Sequence, residues 1–136
     1  MAKISEIQYE GGLRTTSIHL QSGKQIITDA PTDNNGRGEA FSPTDLLSTS
    51  LGCCMLTIMG IVAARSSINL EGTKVDITKI MGTEPRRVVE IVVEMTIPGK
   101  ELSEKDKHLL EQAGLTCPVA KSLHPDLKQT VRFSWV

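Results

Sequence analysis

The feature that most constrains this chain is an apolar stretch at residues 42–65, SPTDLLSTSLGCCMLTIMGIVAAR. Between Asp45 and Arg65 no residue carries a charge. Ser42 predicts a helix N-cap, because its hydroxyl can accept a bond from a free backbone N–H, and Asp45 completes a capping box. Pro43 fits the first helical position, where its missing N–H leaves no bond unmade. The stretch therefore predicts one long helix with a well-defined start.

Apolar side chains in this predicted helix point in all directions, which is typical of a helix buried on most sides. At about 1.5 Å per residue the helix would be roughly 35 Å long, about the diameter of a small domain. One copy of a 136-residue chain would have difficulty covering it. We therefore expect a homodimer. A membrane span is the alternative, but Ser, Thr and Gly residues dilute the apolar run, so we expect no membrane partner.

The overall composition argues against several classes of partner. The chain carries 15 Lys and Arg against 16 Asp and Glu, a formal net charge of −1. Nucleic acid would therefore lack its usual electrostatic attraction, and we expect no nucleic-acid partner. The first residues, MAKISEIQYEGG, are charged where a secretory signal would be apolar, so we expect a cytoplasmic protein. In that compartment the three cysteines are expected to be reduced thiols.

Hydrophobic periodicity and turn residues predict the elements around the long helix. Their order is three strands, long helix, two strands, two short helices and one strand. The predicted strands are 3–9, 14–20, 25–28, 73–81, 87–97 and 131–135. The two short helices are predicted from the cap Ser103 to a stop at Gly114, and from Thr116 to about His124. This order predicts a single α+β domain over residues 1–136, with antiparallel sheets packed around the long central helix.

The strand predicted at 87–97 alternates with a period of two, so one of its faces should be buried. The side chains predicted on that face are Val89, Ile91, Val93, Met95 and Ile97. A polar loop at 29–40 precedes the long helix and is rich in Pro, Asn, Gly and Asp. Because this loop runs directly into the helix cap, it is well placed to bring Arg37 to a site.

Cysteines are the candidate reactive groups. Cys117 follows Thr116 at a predicted helix start, where free backbone N–H groups favour a thiolate, so we expect its pKa to be lowered. Cys53 and Cys54 lie mid-helix, where a thiolate would need a nearby cation. Neighbouring helical residues differ by about 100° in direction, so only one of these two can face a given partner. A packing role is the alternative for all three, since cysteine is often buried.

A metal site is a further alternative. Cys54, Cys117 and His124 are three possible ligands, yet the sequence has no CxxC or HxxxH element to support them. The remaining histidines, His19 and His108, are predicted to be solvated. No phosphate-binding or dinucleotide-binding fingerprint is present. We expect no metal and no cofactor.

Three segments taken together resemble the OsmC/Ohr superfamily of thiol peroxidases. They are FSPTDLL and LGCCMLT on the long helix, and TCPVAKSLH at the later short helix. The resemblance implies an intertwined homodimer with central long helices. It implies that Cys54 attacks an organic hydroperoxide, that Cys117 resolves the product as a disulfide, and that a dithiol reductant opens it. The arginine that holds the thiolate in the family matches Arg14, with Arg37 as the substitute.

The sequence departs from the peroxidase pattern at the start of the long helix. Peroxidase members commonly carry a glutamate directly after the proline, where it bonds the thiolate-holding arginine, whereas this chain has Thr44 there. Asp45 follows, but a helical residue one step on points elsewhere. The sequence therefore supports two functions: a hydroperoxide reductase acting in oxidative or osmotic stress, and a redox-responsive or ligand-binding stress protein of the same fold with little turnover.

Overall fold

The computed structural model describes residues 1–136, which form two compact units, Met1–Leu47 and Ser48–Val136. The predicted element order is confirmed. The strands are β1 (Ser5–Gly11), β2 (Arg14–His19), β3 (Gln25–Asp29), β4 (Lys74–Gly82), β5 (Arg87–Ile97) and β6 (Lys128–Trp135). The α-helices are α1 (Pro43–Arg65), α2 (Glu104–Leu115) and α3 (Pro118–Ser122), and a 3-10 turn spans Thr32–Asn34. The α+β class is therefore confirmed, while the single domain over 1–136 stays a prediction.

The first unit contains an antiparallel sheet in the order β1-β2-β3. A tight turn, in which the His19 N–H donates to the Lys24 carbonyl, fixes the register of β2 against β3. Most of this sheet is exposed in the single chain, and apolar side chains lie on its surface. The exposed ones on the strands are Ile7, Tyr9, Ile26 and Ile27.

The second unit contains a sheet in the order β4-β5-β6. One pairing departs from the predicted antiparallel sheets, because β6 runs parallel to β5. Two intervening helices, α2 and α3, carry the chain back so that β6 starts at the same end as β5, and parallel strands need a crossover of this kind. The α1 helix, which begins in the first unit, supplies this unit's core with a stripe of residues that includes Leu51, Met55 and Met59.

The buried face of β5 differs from the prediction at one position. Val88 is buried and Val89 only half-buried, although Val89 was predicted to face the core. The register shifts between Ile80 and Met81 on β4, so the strict period of two is interrupted by a bulge. From Ile91 onward the predicted alternation is confirmed.

The two short helices end differently from the predictions. Gly114 does not stop α2, which continues to Leu115. Gly114 is instead a packing position, because a Cβ there would lie 2.9 Å from the Met59 Sδ atom. The α3 helix ends at Ser122 rather than near His124, since Leu123 already has extended backbone dihedral angles.

The α1 helix is long and apolar enough to cross a membrane by length and composition alone, and 33% of an 18-residue apolar segment within it is buried in the chain. Its buried residues follow one stripe, and the opposite side is exposed at Leu47 and Ile61. Gly52, on the stripe, packs against Ile77 and Val75 of β4. Such packing is typical of the core helix of a globular unit, although burial within the single chain covers only one side of the helix.

Candidate active site

Two of the three cysteines, Cys54 and Cys117, lie within hydrogen-bonding distance of each other in the second unit. Cys54 lies on α1, and Cys117 is the N-cap residue of α3. Pro118 occupies the first helical position after it, and the Ala120 N–H donates to the Cys117 Sγ at 3.4 Å. The Gln129 side chain of β6 donates to the Ala120 carbonyl at 2.9 Å, which ties α3 to the sheet. All three cysteines are free thiols, so the pair is in its dithiol form.

The exposure of the three thiols differs sharply. Cys117 is 0% exposed and belongs to the core, Cys54 is half-buried, and Cys53 is exposed. Because consecutive helical residues point about 100° apart, Cys54 can face the core while Cys53 faces outward. Only one member of the adjacent pair therefore lies with Cys117, as the helix geometry predicts.

The lowered pKa predicted for Cys117 is wrong. Burial raises the pKa of the Cys117 thiol above its usual value, and the neighbouring Cys54 thiol adds to the rise. Hydrogen bonds from the Ala120 and Val119 amides act in the opposite direction but are outweighed. A short helix start gives the thiolate some support, yet the loss of solvation in the core costs more.

The two candidate arginines lie in the first unit, around one buried carboxylate. Arg14 on β2 forms a bidentate ion pair with Asp29 on β3, with Nε donating to Oδ1 at 2.7 Å and Nη2 to Oδ2 at 2.8 Å. The same Nη2 donates to Glu39 Oε1 at 3.0 Å. The hydrogen bonds and charge of Arg14 lower the pKa of Asp29, and Asp29 in turn raises the pKa of Arg14. Both groups are therefore charged at neutral pH.

Arg37 joins this cluster without an ion pair of its own. Its guanidinium lies against Gly12 in the β1–β2 turn, where a Cβ would clash with Nη2. Gly12 has a positive φ of 60°, so the turn needs glycine for its backbone as well as for this close approach. The positive charge of Arg37 contributes to the lowered pKa of Asp29.

The start of α1 forms the predicted capping box. The Asp45 N–H donates to Ser42 Oγ at 3.0 Å, and the Ser42 N–H donates to Asp45 Oδ2 at 2.9 Å. Thr44 Oγ1 lies 3.2 Å from Ser42 Oγ, so this side chain joins the cap. Thr44 cannot supply a carboxylate, and the bidentate partner of Arg14 is Asp29 instead.

Asp29 and Glu39 hydrogen-bond with the candidate residue Arg14 but are not among the residues predicted from the sequence. A signal for Asp29 was available, because continuing the register from the turn after His19 places Arg14 opposite Asp29. An opposite-charge pair at facing positions of two strands is a recognisable pattern. Glu39 lies in an irregular loop, where no periodicity could have indicated its contact with Arg14.

The alternative of a metal site finds no support in the arrangement of side chains. No group of three or more His, Cys, Asp or Glu side chains is placed to hold a metal ion. His124 is exposed, and its Nδ1 accepts a hydrogen bond from the Asp126 N–H at 3.0 Å.

Two neighbouring free thiols lie on a long core helix and a short capped helix within this α+β element order. This combination defines a class of small dithiol proteins. Comparison with known families and structures identifies the class. The chain belongs to the family described as OsmC-like protein, whose model matches residues 36–132. No curated protein sequence matches the chain.

Several solved structures are similar to this one. A protein from Psychrobacter arcticus, provisionally described as an osmotic stress induced and detoxification response protein, is 52% identical with a TM-score of 0.93, covering 98% of this chain and 96% of its own. The OsmC-like protein of Mycoplasma pneumoniae is 23% identical with a TM-score of 0.78, covering 100% and 99%. An organic hydroperoxide resistance protein, OsmC, from Legionella pneumophila is 16% identical with a TM-score of 0.68, covering 99% and 98%. The last two show the shared fold alone.

Proposed function

We propose that this protein is a cysteine-dependent peroxidase that reduces organic hydroperoxides in the cytoplasm, in defence against oxidative or osmotic stress. The observation that carries the proposal is the Cys54–Cys117 thiol pair on two helices of an OsmC-like fold. The similar Legionella protein is described as an organic hydroperoxide resistance protein, which is consistent with that substrate class.

The different exposure of the two thiols supports a division of roles. Cys54 is half-buried, so a small substrate can reach it, whereas Cys117 is 0% exposed and inaccessible to a molecule outside the core. Cys117 also has a raised pKa, which disfavours it as the first nucleophile because the thiolate is the attacking form. We therefore assign the attack to Cys54 and the resolving step to Cys117.

The reaction balances with these two thiols and one dithiol reductant. The Cys54 thiolate attacks the terminal oxygen of the hydroperoxide, so that an S–O bond forms as the O–O bond breaks and Cys54 becomes a sulfenic acid. The alkoxide that leaves takes a proton from water and departs as the alcohol. The Cys117 sulfur then attacks the sulfenic sulfur, water leaves, and a Cys54–Cys117 disulfide forms. A dithiol reductant exchanges with that disulfide, becoming oxidised itself and restoring both thiols.

The thiolate of Cys54 needs a cation, and Arg14 is our first candidate for it, with Arg37 as the substitute. Arg14 is held in a fixed orientation by a buried carboxylate, whereas Arg37 is not ion-paired. A fixed guanidinium loses less conformational entropy when it binds an anion, which favours Arg14.

A homodimer completes the proposal. Apolar residues remain exposed along α1 and on both faces of the first sheet, including Leu47, Ile61, Ile7 and Ile27. Exposed apolar surface of this extent is typical of an interface. A second copy of the chain is the partner that the long, half-covered helix favours.

The test follows the three thiols by mass spectrometry after one equivalent of cumene hydroperoxide is added. Repeated reduction of cumene hydroperoxide is then measured with dithiothreitol as the reductant. We expect wild type to form the Cys54–Cys117 disulfide and to turn over repeatedly. Cys54→Ser should consume no peroxide, and Cys117→Ser should stop at the Cys54 sulfenic acid, which dimedone traps. The matched control is Cys53→Ser, an exposed thiol that should not matter. A Cys54→Ser variant reacting at the wild-type rate would contradict the proposal.

A second candidate function is a redox-responsive stress protein that is oxidised once and not recycled efficiently. The raised pKa of buried Cys117 favours it, because a protonated thiol resolves a sulfenic acid slowly. This candidate predicts one oxidation per thiol pair and no sustained turnover with the reductant, so the same assay separates the two functions.

A further inference from the structure

Gln129 is the one polar residue in the row of β6 side chains that faces the core. The row contains alternate residues of the strand, namely Gln129, Val131, Phe133 and Trp135. The three apolar members pack against the core. Gln129 lies opposite Ile91 in the parallel pairing with β5, and Ile91 is 0% exposed. A polar side chain in such a row needs a hydrogen-bond partner, because burying it without one is costly.

The partner of Gln129 is a carbonyl near the end of α3. The Gln129 Nε2 donates to the Ala120 carbonyl at 2.9 Å, and this bond is partly buried. The α3 helix ends at Ser122, and the backbone of Leu123 is extended, so no further helical turn follows to supply an amide for Ala120. The last carbonyls of a helix need donors from outside it. Gln129 therefore supplies a donor that the helix itself lacks.

The same residue of α3 also bonds the buried thiol. The Ala120 N–H donates to the Cys117 Sγ at 3.4 Å, while the Ala120 carbonyl accepts from Gln129. Ala120 thus connects the thiol to a side chain of β6. Cys117 in turn lies within hydrogen-bonding distance of Cys54. All of these contacts lie within the unit Ser48–Val136.

A helix as short as α3 needs such support. It has five residues, and isolated helices of that length are unstable in water because nucleation is costly. Ser122 Oγ donates to the Pro118 carbonyl at 2.8 Å, but this bond stays inside the helix. The Gln129 bond is the one hydrogen bond between α3 and a strand. Apolar contacts of Val119 and Ala120 with the core add stability without fixing an orientation.

We propose that Gln129 is the positioning residue for the resolving thiol: its bond to Ala120 holds α3 against the sheet and keeps Cys117 within reach of Cys54. The proposal rests on the proposed function, in which Cys117 resolves the Cys54 sulfenic acid. In that step the Cys117 sulfur attacks the sulfenic sulfur, an S–S bond forms, and the sulfenic hydroxyl leaves as water with the thiol proton. Such a step is fast only when the reacting groups are held near attack geometry.

This role predicts an effect on the second step alone. Attack on the hydroperoxide uses Cys54 of α1, which the Gln129 bond does not hold. Resolution uses Cys117, the N-cap residue of the helix that the bond does hold. Loss of the bond should therefore lengthen the life of the sulfenic acid without slowing its formation. A general loosening of the fold would not separate the two steps in this way.

The experiment follows the reduced protein after one equivalent of cumene hydroperoxide, in a Cys53→Ser background so that the exposed thiol cannot interfere. Dimedone is added at successive times, and mass spectrometry measures the Cys54 sulfenic acid and the Cys54–Cys117 disulfide. Gln129→Met keeps the length of the side chain and removes the N–H donor. Ser122→Ala is the matched control, because it removes a bond to an α3 carbonyl that does not reach the sheet. Circular dichroism checks that each variant is folded.

We expect Gln129→Met to form the disulfide roughly three to ten times more slowly than its parent, which corresponds to the loss of one neutral hydrogen bond. The sulfenic acid should form at the parent's rate and accumulate. Ser122→Ala should match its parent in both steps. With excess hydroperoxide, Gln129→Met should also give more Cys54 sulfinic acid, because a longer-lived sulfenic acid is oxidised further.

Disulfide formation at the parent's rate in Gln129→Met would overturn the proposal, and so would equal slowing of both steps. If Gln129→Met does not fold, Gln129→Asn replaces it, because the shorter side chain keeps the amide but cannot reach the Ala120 carbonyl, and the same result is expected.

Failure of the proposed function is seen separately, as a wild-type Cys54 that hydroperoxide does not oxidise. The role of Gln129 is then measured from the equilibrium of the thiol pair with oxidised dithiothreitol. Gln129→Met should lower the equilibrium constant for the Cys54–Cys117 disulfide roughly three- to tenfold, since an untethered α3 loses more freedom when the disulfide forms. An equilibrium constant equal to that of the parent would overturn the proposal.

Discussion

Burial of Cys117 makes the stability of this protein sensitive to alkaline pH. The folded thiol is 0% exposed and its pKa is raised, chiefly by burial, whereas a cysteine in the unfolded chain ionises near pH 8.5. Above that pH the free energy of the unfolded chain falls, because its thiol loses a proton that the folded chain retains. The stabilisation is therefore complete below about pH 8.5 and is lost as the pH rises through the folded pKa.

The size of the loss follows from the unfolded thiol. Between pH 7 and pH 9.5 its ionisation lowers the free energy of the unfolded chain by about 1.4 kcal/mol, and this is the upper limit of the effect, reached if folded Cys117 stays protonated. Other groups that titrate in this pH range also change the free energy of unfolding, but wild type and the variants share them. The difference between variants therefore isolates Cys117.

The assay is urea unfolding at both pH values, at one protein concentration and with a phosphine reductant. We expect wild type to lose up to about 1.4 kcal/mol more than Cys117→Ala between the two pH values. The control Cys53→Ala should keep the wild-type loss, because the Cys53 thiol is exposed in the folded chain. If Cys117→Ala and wild type lost equal stability, the reasoning from burial would be refuted.

Two further predictions concern the helices that carry the site. Ser42→Ala removes the hydroxyl that accepts the Asp45 N–H at 3.0 Å, and should lower the free energy of unfolding by about 1 kcal/mol in urea titrations. A Ser42→Thr variant keeps the hydroxyl, and if it lost as much stability as Ser42→Ala this would count against the cap. Gly114→Val pushes side-chain atoms into Met59, whose Sδ would lie 2.9 Å from the new Cβ, and should cost about 1–3 kcal/mol by the same measurement. An unchanged unfolding midpoint would show that Met59 can move aside.

Much of the fold was predictable because its signals are local. The capping box at Ser42 and Asp45 fixed the start of α1, and alternation with turn residues located the strands. The misplaced details were those that depend on contacts distant in sequence. The predicted core position of Val89 is wrong because a bulge interrupts the strand period, and the predicted helix stop at Gly114 is wrong because this glycine packs against Met59, which is distant in sequence.

The candidate site divides in the same way. Helix geometry allows only one cysteine of the adjacent pair to face a given partner, and local signals place Cys117 at a helix start, which the structure resolves as the N-cap. The direction of the Cys117 pKa shift depends on tertiary contacts, since burial in the core outweighs the local help of two amides.

The partner of Arg14 also depends on tertiary structure. The sequence shows that Thr44 cannot supply a carboxylate, but Asp29, the partner of Arg14, comes from the end of another strand. Pairing of β2 with β3 places Asp29 opposite Arg14, and burial of that carboxylate makes the pair obligatory. A helix start is encoded by residues adjacent in the sequence, whereas a buried ion pair forms only when the two strands pair in the folded protein.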